Sequence, residues 1–268
     1  GGAARVLDNP ISEEMKAMRP PLLPGLLSAA GRNIDRGLTS VRLFEVGRRY
    51  LADEERLTLG VLLAGERSPR HWRTGRAEGF DVYDAKAEAL AVLAAAGAPV
   101  DNLQVLDDAS GVYHPGRSGR LGLGPKNVLA EFGELHPATL RAFDLDGPVV
   151  AAEVYLDAIP PRRGSGRMRE AYAPPALQAV KRDFAFLVPK DLKADQLLRA
   201  VRGADKAAIV EVNLFDVFTG QGVPEGRKSL AVEVTLQPGE KSFTDEELKA
   251  VSDRIVAAAA KLGAELRA

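Results

Sequence analysis

Residues 226–234 read GRKSLAVEV. Leu230, Val232 and Val234 alternate with Ser229, Ala231 and Glu233, the period-two pattern of a strand with one buried face. Thr235 continues the second set. Nothing bulky stands on that side. The stretch therefore poses a choice between an ordinary solvated face and a bare platform able to receive something flat.

The flanking sequence decides which fold this strand serves. VKRDFAFLVP (180–189) predicts a strand, with Phe184 and Phe186 on its buried side. LKADQLLRAVRG (192–203) predicts a helix with Ala194, Leu197, Leu198 and Val201 on one face and Gly203 just past its end. AIVEVNLFDVF (208–218) is a second strand, and RKSLAVEVTLQ (227–237) pairs back on it across a Gly- and Pro-containing turn. TDEELKAVSDRIVAAAAKLG (244–263) is a helix opened by a Thr244–Glu247 capping box, with Leu248, Val251, Ile255, Ala259 and Leu262 as its buried stripe. AELRA (264–268) offers a short last strand. The order β-α-β-β-α-β is the ferredoxin-like split unit, whose two helices cover one sheet face. Ala185, Ser229, Ala231 and Glu233 then fall on the uncovered face. On that reading Ser229 is outward, and Ser229→Trp leaves folding largely intact.

The earlier half is mixed α and β. RPPLLPGLLSAAGRNIDRG enters a helix after Pro24 that stops at Gly37. VRLFEVGRRYL (41–51) and LTLGVLLAG (57–65) are an antiparallel strand pair joined by the acidic turn ADEE. GERSPRHWRTGRAEG (65–79) is a polar loop, and DVYDAKAEALAVLAAAG (81–97) a helix stopped by Gly97. Strands follow in YHPGRSGRLGLG (113–124), NVLAEFGELHP (127–137) and GPVVAAEVYLDAI (147–159). Strands this frequent with two main helices imply an antiparallel sheet with helices packed on it, an α+β class. IPPRRGSGRMREAYAPPALQ (159–178) is rich in Pro, Gly and Arg and lacks apolar periodicity. The expected organisation is one domain over 1–160, a Pro/Arg-rich linker over 161–176 and a second domain over 177–268. The linker arginines suit either solvent or RNA phosphates.

Composition limits the chemistry. The net charge is −1, so any nucleic-acid site must be a local surface. There is no cysteine, and the only histidines are His71, His114 and His136, far apart in sequence. No apolar run approaches a membrane span, and no signal-peptide pattern precedes the first strand; a soluble cytoplasmic protein is the expectation. The abrupt Gly1–Ala4 opening suggests a piece of something larger. His114 and His136 read as turn or capping residues in HPG and HP. An uncovered sheet is a familiar RNA surface, but the usual version carries stacking aromatics. Small residues stand here instead, so a docking face and a solvated face both remain open.

Several motifs together resemble the C-terminal part of the bacterial phenylalanyl-tRNA synthetase beta subunit. They are RDFA (182–185), LFDVFTG (214–220), GRKSLA (226–231) and the final LR (266–267), then NPISEEMKAMRPPLLPGLL (9–27), RLFEVG (42–47), YHPGRSG (113–119) and FGELHP (132–137). The resemblance spans nearly the whole chain, in order. It implies a class II synthetase-like, noncatalytic first domain without a catalytic residue, followed by a ferredoxin-fold domain that holds the tRNA anticodon loop. Carried over by motif, Ala185, Asp216, Ser229 and Arg267 would contact a guanine, the first anticodon base, with Lys181 and Lys228 as phosphate neighbours. Asp216 would accept from the ring N–H and exocyclic amine, and Arg267 would stack or meet phosphate. Asp216 falls out of phase with Asn213 and Phe215, so it needs a bulge or a strand end. The family places ATP- and magnesium-dependent activation of phenylalanine on the alpha subunit of an α2β2 assembly, with no cofactor in this portion. In RLFEVG, Glu45 would anchor local structure. GRLGLG (119–124) is too early and too poor for the late Gly-rich, Arg-bearing element of active class II enzymes. The rival readings are a class II ligase that activates an amino acid alone, and a ferredoxin-like interaction or small-ligand module without RNA binding.

Overall fold

The computed structural model describes residues 5–13, 16–161 and 174–267. The chain divides into two compact units, 1–165 and 166–268. Most of the Pro/Arg-rich stretch, residues 162–173, lies outside the described residues.

The first unit contains α1 (Leu23–Asp35), β1 (Ser40–Tyr50), β2 (Glu55–Ser68), β3 (Glu78–Gly79), α2 (Val82–Ala95), β4 (Gln104–Leu106), β5 (Tyr113–Gly122), β6 (Val128–Leu135), α3 (Pro137–Arg141) and β7 (Val149–Tyr155). Its seven-stranded sheet runs β1-β2-β7-β6-β5-β4, with β3 added to β2. Its strand pairings are all antiparallel. Strands β2, β6 and β7 are apolar on both sides because both faces are covered. Val61, Leu63, Phe132, Val150 and Ala152 pack with Ala85, Ala89 and Leu93 of α2. Leu62, Ala64, Val149 and Ala151 pack with Leu23, Leu26 and Leu27 of α1 on the other face. Helix α2 starts at a reciprocal Asp81–Asp84 capping box. The loop expected over 65–79 is partly strand, since β2 continues to Ser68 and β3 returns beside it.

Helix α1 is anchored from outside itself. Its N-cap, Leu22, brings no side-chain oxygen. The carboxylate of Glu153 on β7 accepts from Leu22 N–H at 2.7 Å instead, and Glu153 is only 4% exposed. Burial pushes its carboxyl above the ordinary range, opposed by the Leu22 N–H and the charge of Arg49.

The second unit contains β8 (Val180–Pro189), α4 (Ala194–Ala204), β9 (Ile209–Phe218), β10 (Arg227–Leu236), α5 (Asp245–Ala260) and β11 (Glu265–Leu266). The sheet order is β11-β8-β10-β9. Phe184, Phe186 and Val188 of β8 and Leu230, Val232, Val234 and Leu236 of β10 join Leu197 and Val201 of α4 and Val251, Ile255 and Ala259 of α5 in one core. Each such large apolar side chain contributes about 1.5–3 kcal/mol when fully buried. The Thr244–Glu247 capping box opens α5. Gly203 does not end α4, which continues to Ala204. Asp205 is the stop: its backbone is extended, and its carboxylate accepts from Ala207 and Ala208 N–H and from Arg254. Burial alone would raise the Asp205 carboxyl; these bonds outweigh it and hold it below the usual range.

Glu153 gives a pH prediction. A carboxyl raised in the folded state adds stability below its unfolded pKa, near 4.3, and that addition is lost as pH rises through the folded value. Glu153→Gln, which keeps an oxygen for Leu22, should therefore gain on the unsubstituted chain as pH rises above about 4. Urea midpoints followed as pH rises test this; parallel curves would refute it.

Candidate nucleic-acid interface

Helices α4 and α5 cover one face of the second sheet, and the other presents side chains in rows across the strands. Ala185 stands opposite Ala231, and Ala231 opposite Asp216. Arg267 joins this row through its N–H, which donates to Ala185 C=O at 2.7 Å. The next row holds Leu187, Ser229 and Phe218. On the other side come Asp183, Glu233 and Asn213, then Lys181, Thr235 and Glu211.

Asp216 reaches this face through a break in register. Val232 pairs with Leu214, but Ala231 pairs with Asp216. Phe215 is the extra residue, a β-bulge that rephases the end of β9. Asp216 is exposed, and its side chain has no hydrogen bond or ion pair among the described residues. It caps no turn. The Ala185–Ala231 floor thus lies between the free carboxylate of Asp216 on one edge strand and the Arg267 backbone on the other, with the Arg267 guanidinium reaching toward Phe218 and the β9–β10 turn. With strands about 4.8 Å apart, the row spans roughly 14 Å.

Ser229 differs from expectation. Its phase is opposite to Leu230 and Val232, as the alternation requires, yet it is only 4% exposed. Leu187 and Phe218 stand opposite it on the two flanking strands, and their larger side chains shade a small residue on the central strand. Lys228 also differs. It shares the phase of Leu230 and pairs with fully buried Val188, which puts it on the helix side, away from Ala185 and Asp216. Lys181 does lie on the open face, but its ammonium is bound to Glu233 at 2.8 Å. That hydrogen bond raises its pKa.

Phe218 is the residue missed from sequence. It is 39% exposed on the open face, and the Arg267 guanidinium lies 5.9 Å from its ring centroid, within cation–π range. A Cβ on Gly220 would come within 2.4 Å of the Phe218 ring, so the ring folds over a glycine in the β9–β10 turn. A signal existed: by period two, Phe218 must share the face of Asp216.

In the first unit, His114 Nδ1 accepts from Gly116 N–H at 3.1 Å and His136 Nδ1 from Ala138 N–H at 3.0 Å, both turn-capping roles. The arginines of β1 are committed within the protein. Arg42 donates to Arg67 C=O and lies over Phe80. Arg48 pairs with Glu55. Arg49 donates to Thr58 and lies over Tyr155. Glu45 binds Arg19, which fills the space above Gly47. These side chains do not fit a free nucleotide-phosphate site on this strand. No group of described residues has the makings of a metal site, and no helix among them is long and apolar enough to cross a membrane.

Residues 2–156 match the phenylalanyl tRNA synthetase beta chain CLM domain. Residues 175–267 match the ferredoxin-fold anticodon binding domain. The chain belongs to the phenylalanyl-tRNA synthetase beta chain family. It is 62% identical over 268 residues to the phenylalanine–tRNA ligase beta subunit of Zymomonas mobilis, covering 100% of this chain and 34% of that protein. The corresponding subunit of Novosphingobium aromaticivorans is 64% identical over 273 residues with the same coverage. That of Rhodospirillum rubrum is 48% identical over 272 residues, again over 34% of its length. The chain thus spans about a third of these relatives and carries the CLM and anticodon-binding domains. A solved pyrrolysyl-tRNA synthetase from Desulfitobacterium hafniense is similar over 56% of this chain and 50% of its own, at 22% identity and a TM-score of 0.41.

The burial of Ser229 reverses the expectation for Ser229→Trp. The indole must displace Leu187 or Phe218, so the variant should lose about 1–3 kcal/mol, the usual range for overpacking. Urea unfolding measures it; an unchanged midpoint would show that both neighbours swing aside freely.

Proposed function

We propose that this chain holds the anticodon loop of phenylalanine tRNA on the open face of its second unit, and that its first unit is a noncatalytic scaffold for an alpha subunit. The observation that carries the proposal is the row Arg267–Ala185–Ala231–Asp216. A base lying on the two alanines meets the Asp216 acceptor pair at one edge and the Arg267 guanidinium at the turn end of the face, beside Phe218. Asp216 accepts from the ring N–H and exocyclic amine of a guanine, a pattern that no other RNA base offers on its Watson–Crick edge. Phe218, beside Arg267, adds the stacking surface that unpaired bases seek. Ser229 acts as a small, shaded floor residue beneath it.

Charge orients the RNA strand. Asp183, Glu211 and Glu233 surround the single ammonium of Lys181 at one end of the face, which disfavours phosphate there. Arg267 marks the other end. Lys181 then shields Glu233 rather than gripping RNA, and Lys228, on the helix side of the sheet, faces away from the same base. Activation of phenylalanine with ATP and magnesium belongs to the alpha subunit of an α2β2 assembly in the cytoplasm. The committed arginines of β1 support a scaffold role for the first unit.

Fluorescence anisotropy with a phenylalanine-tRNA anticodon stem-loop tests this, against a stem-loop carrying adenine as the first anticodon base. The guanine form should bind more tightly at two salt concentrations. Asp216→Ala should remove about 1–3 kcal/mol of that discrimination while leaving stability unchanged. A preference that survives in Asp216→Ala, or binding that vanishes with salt and shows no preference, would reject the reading.

A further inference from the structure

In the first unit, strand β2 runs beyond the main sheet to Ser68, and the chain returns through β3. Every residue from Pro69 to Gly79 is exposed. His71 and Gly75 exchange both backbone hydrogen bonds, at 3.1 and 2.8 Å, and close a tip made of Trp72, Arg73 and Thr74. Gly75 has φ +90°, the left-handed conformation that a short hairpin loop of this kind requires. His71 Nδ1 accepts from Arg73 N–H at 3.2 Å, and its ring centroid lies 5.6 Å from that of Trp72. The tip is braced from within, and it holds Trp72 in water at 89% exposure.

The charge around the indole has one sign. RSPRHWRTGR (67–76) contains arginine at 67, 70, 73 and 76 and no carboxylate. Arg67 is held by Glu78 at 2.6 Å and Asp84 at 3.5 Å. Arg70, Arg73 and Arg76 have no ion pair or side-chain hydrogen bond among the described residues. A ligand that satisfies both features carries flat faces for the indole and regularly spaced negative charges for the arginines. Unpaired nucleotides have both; a duplex hides its base faces in the stack.

We propose that the 69–77 hairpin is a single-stranded RNA contact, in which Trp72 stacks on an unpaired base and Arg70, Arg73 and Arg76 meet the flanking phosphates. It lies on the first unit and does not rest on the anticodon face of the second. Trp72 is the single tryptophan of the chain, so its fluorescence reports the contact directly. The 268-residue chain is titrated with oligouridine of about twelve nucleotides, within the usual site sizes for such proteins. Quenching of Trp72 is expected, and it should persist in Asp216→Ala, which separates this contact from the anticodon face. With labelled oligouridine and anisotropy, Trp72→Ala should bind roughly 5- to 150-fold more weakly, the equivalent of about 1–3 kcal/mol per stacked base. Replacing Arg70, Arg73 and Arg76 together by Gln should flatten the slope of log K against log salt by about 2. RNA binding that leaves Trp72 emission and the Trp72→Ala affinity unchanged would overturn the proposal. So would quenching by an added alpha subunit but not by oligouridine, which would make the hairpin a protein contact.

Discussion

Strand β10 is hydrogen-bonded on both sides, and its side chains have only two directions to point. That constraint organises the second unit. Leu230, Val232, Val234 and Leu236 must all enter the core under α4 and α5. A slip of one residue would expose all four at once, so the register is fixed by several kcal/mol of burial. Everything on the open face inherits its position from this choice. Ala231 lies between Ala185 and Asp216 because Leu230 and Val232 are committed to the other side. Two register shifts interrupt the β9–β10 pairing, one at Val210 and one at Phe215; the bulge at Phe215 sets the site. The Phe215 bulge lets β9 satisfy the core with Val212 and Leu214, then turn Asp216 and Phe218 outward.

The two units place their exposed chemistry differently, for a common physical reason. In the first unit both faces of the central strands are covered, and, among the described residues, only the edge strand β1 leaves Phe44 and Val46 exposed. The unit's accessible chemistry is confined to edges and loops, and the β2–β3 hairpin is where an exposed aromatic and unpaired arginines gather. A sheet covered on one face must do something with the other. Small residues in the second unit keep that face low, while its charges separate into an acidic end around Glu233 and a cationic corner at Arg267. Buried polar groups are few. The Tyr113 hydroxyl has no hydrogen-bond partner among the described residues, whereas Glu153 is held inside the first unit because it supplies the acceptor that the N-terminus of α1 lacks.

Much of this was legible in the sequence. The order β-α-β-β-α-β, the inward sides of β8 and β10, and the Thr244–Glu247 cap all follow from periodicity and local hydrogen-bonding chemistry, which act over a few residues. So do the turn roles of His114 and His136. The misreadings share a cause as well. Gly203 resembled a helix stop, but Asp205 ends α4 through bonds to Ala207, Ala208 and the distant Arg254. Ser229 takes the face that alternation gives it but is buried there. Alternation gives direction, whereas exposure depends on what stands on the neighbouring strands. Lys228, expected as a phosphate neighbour, points to the helix side because successive residues on a strand point apart.

The sequence by itself determined the elements, their order and the side each strand turns to the core, because period and capping are local properties. Only the tertiary structure decided which residues meet across strands. It placed Asp216 in the row of Ala185 and Ala231 through a bulge, set Arg267 over Phe218, hid Ser229 between two larger neighbours and bound Lys181 to Glu233. Each of these is a contact between segments far apart in the chain, fixed by strand register and packing, and no local pattern encodes it.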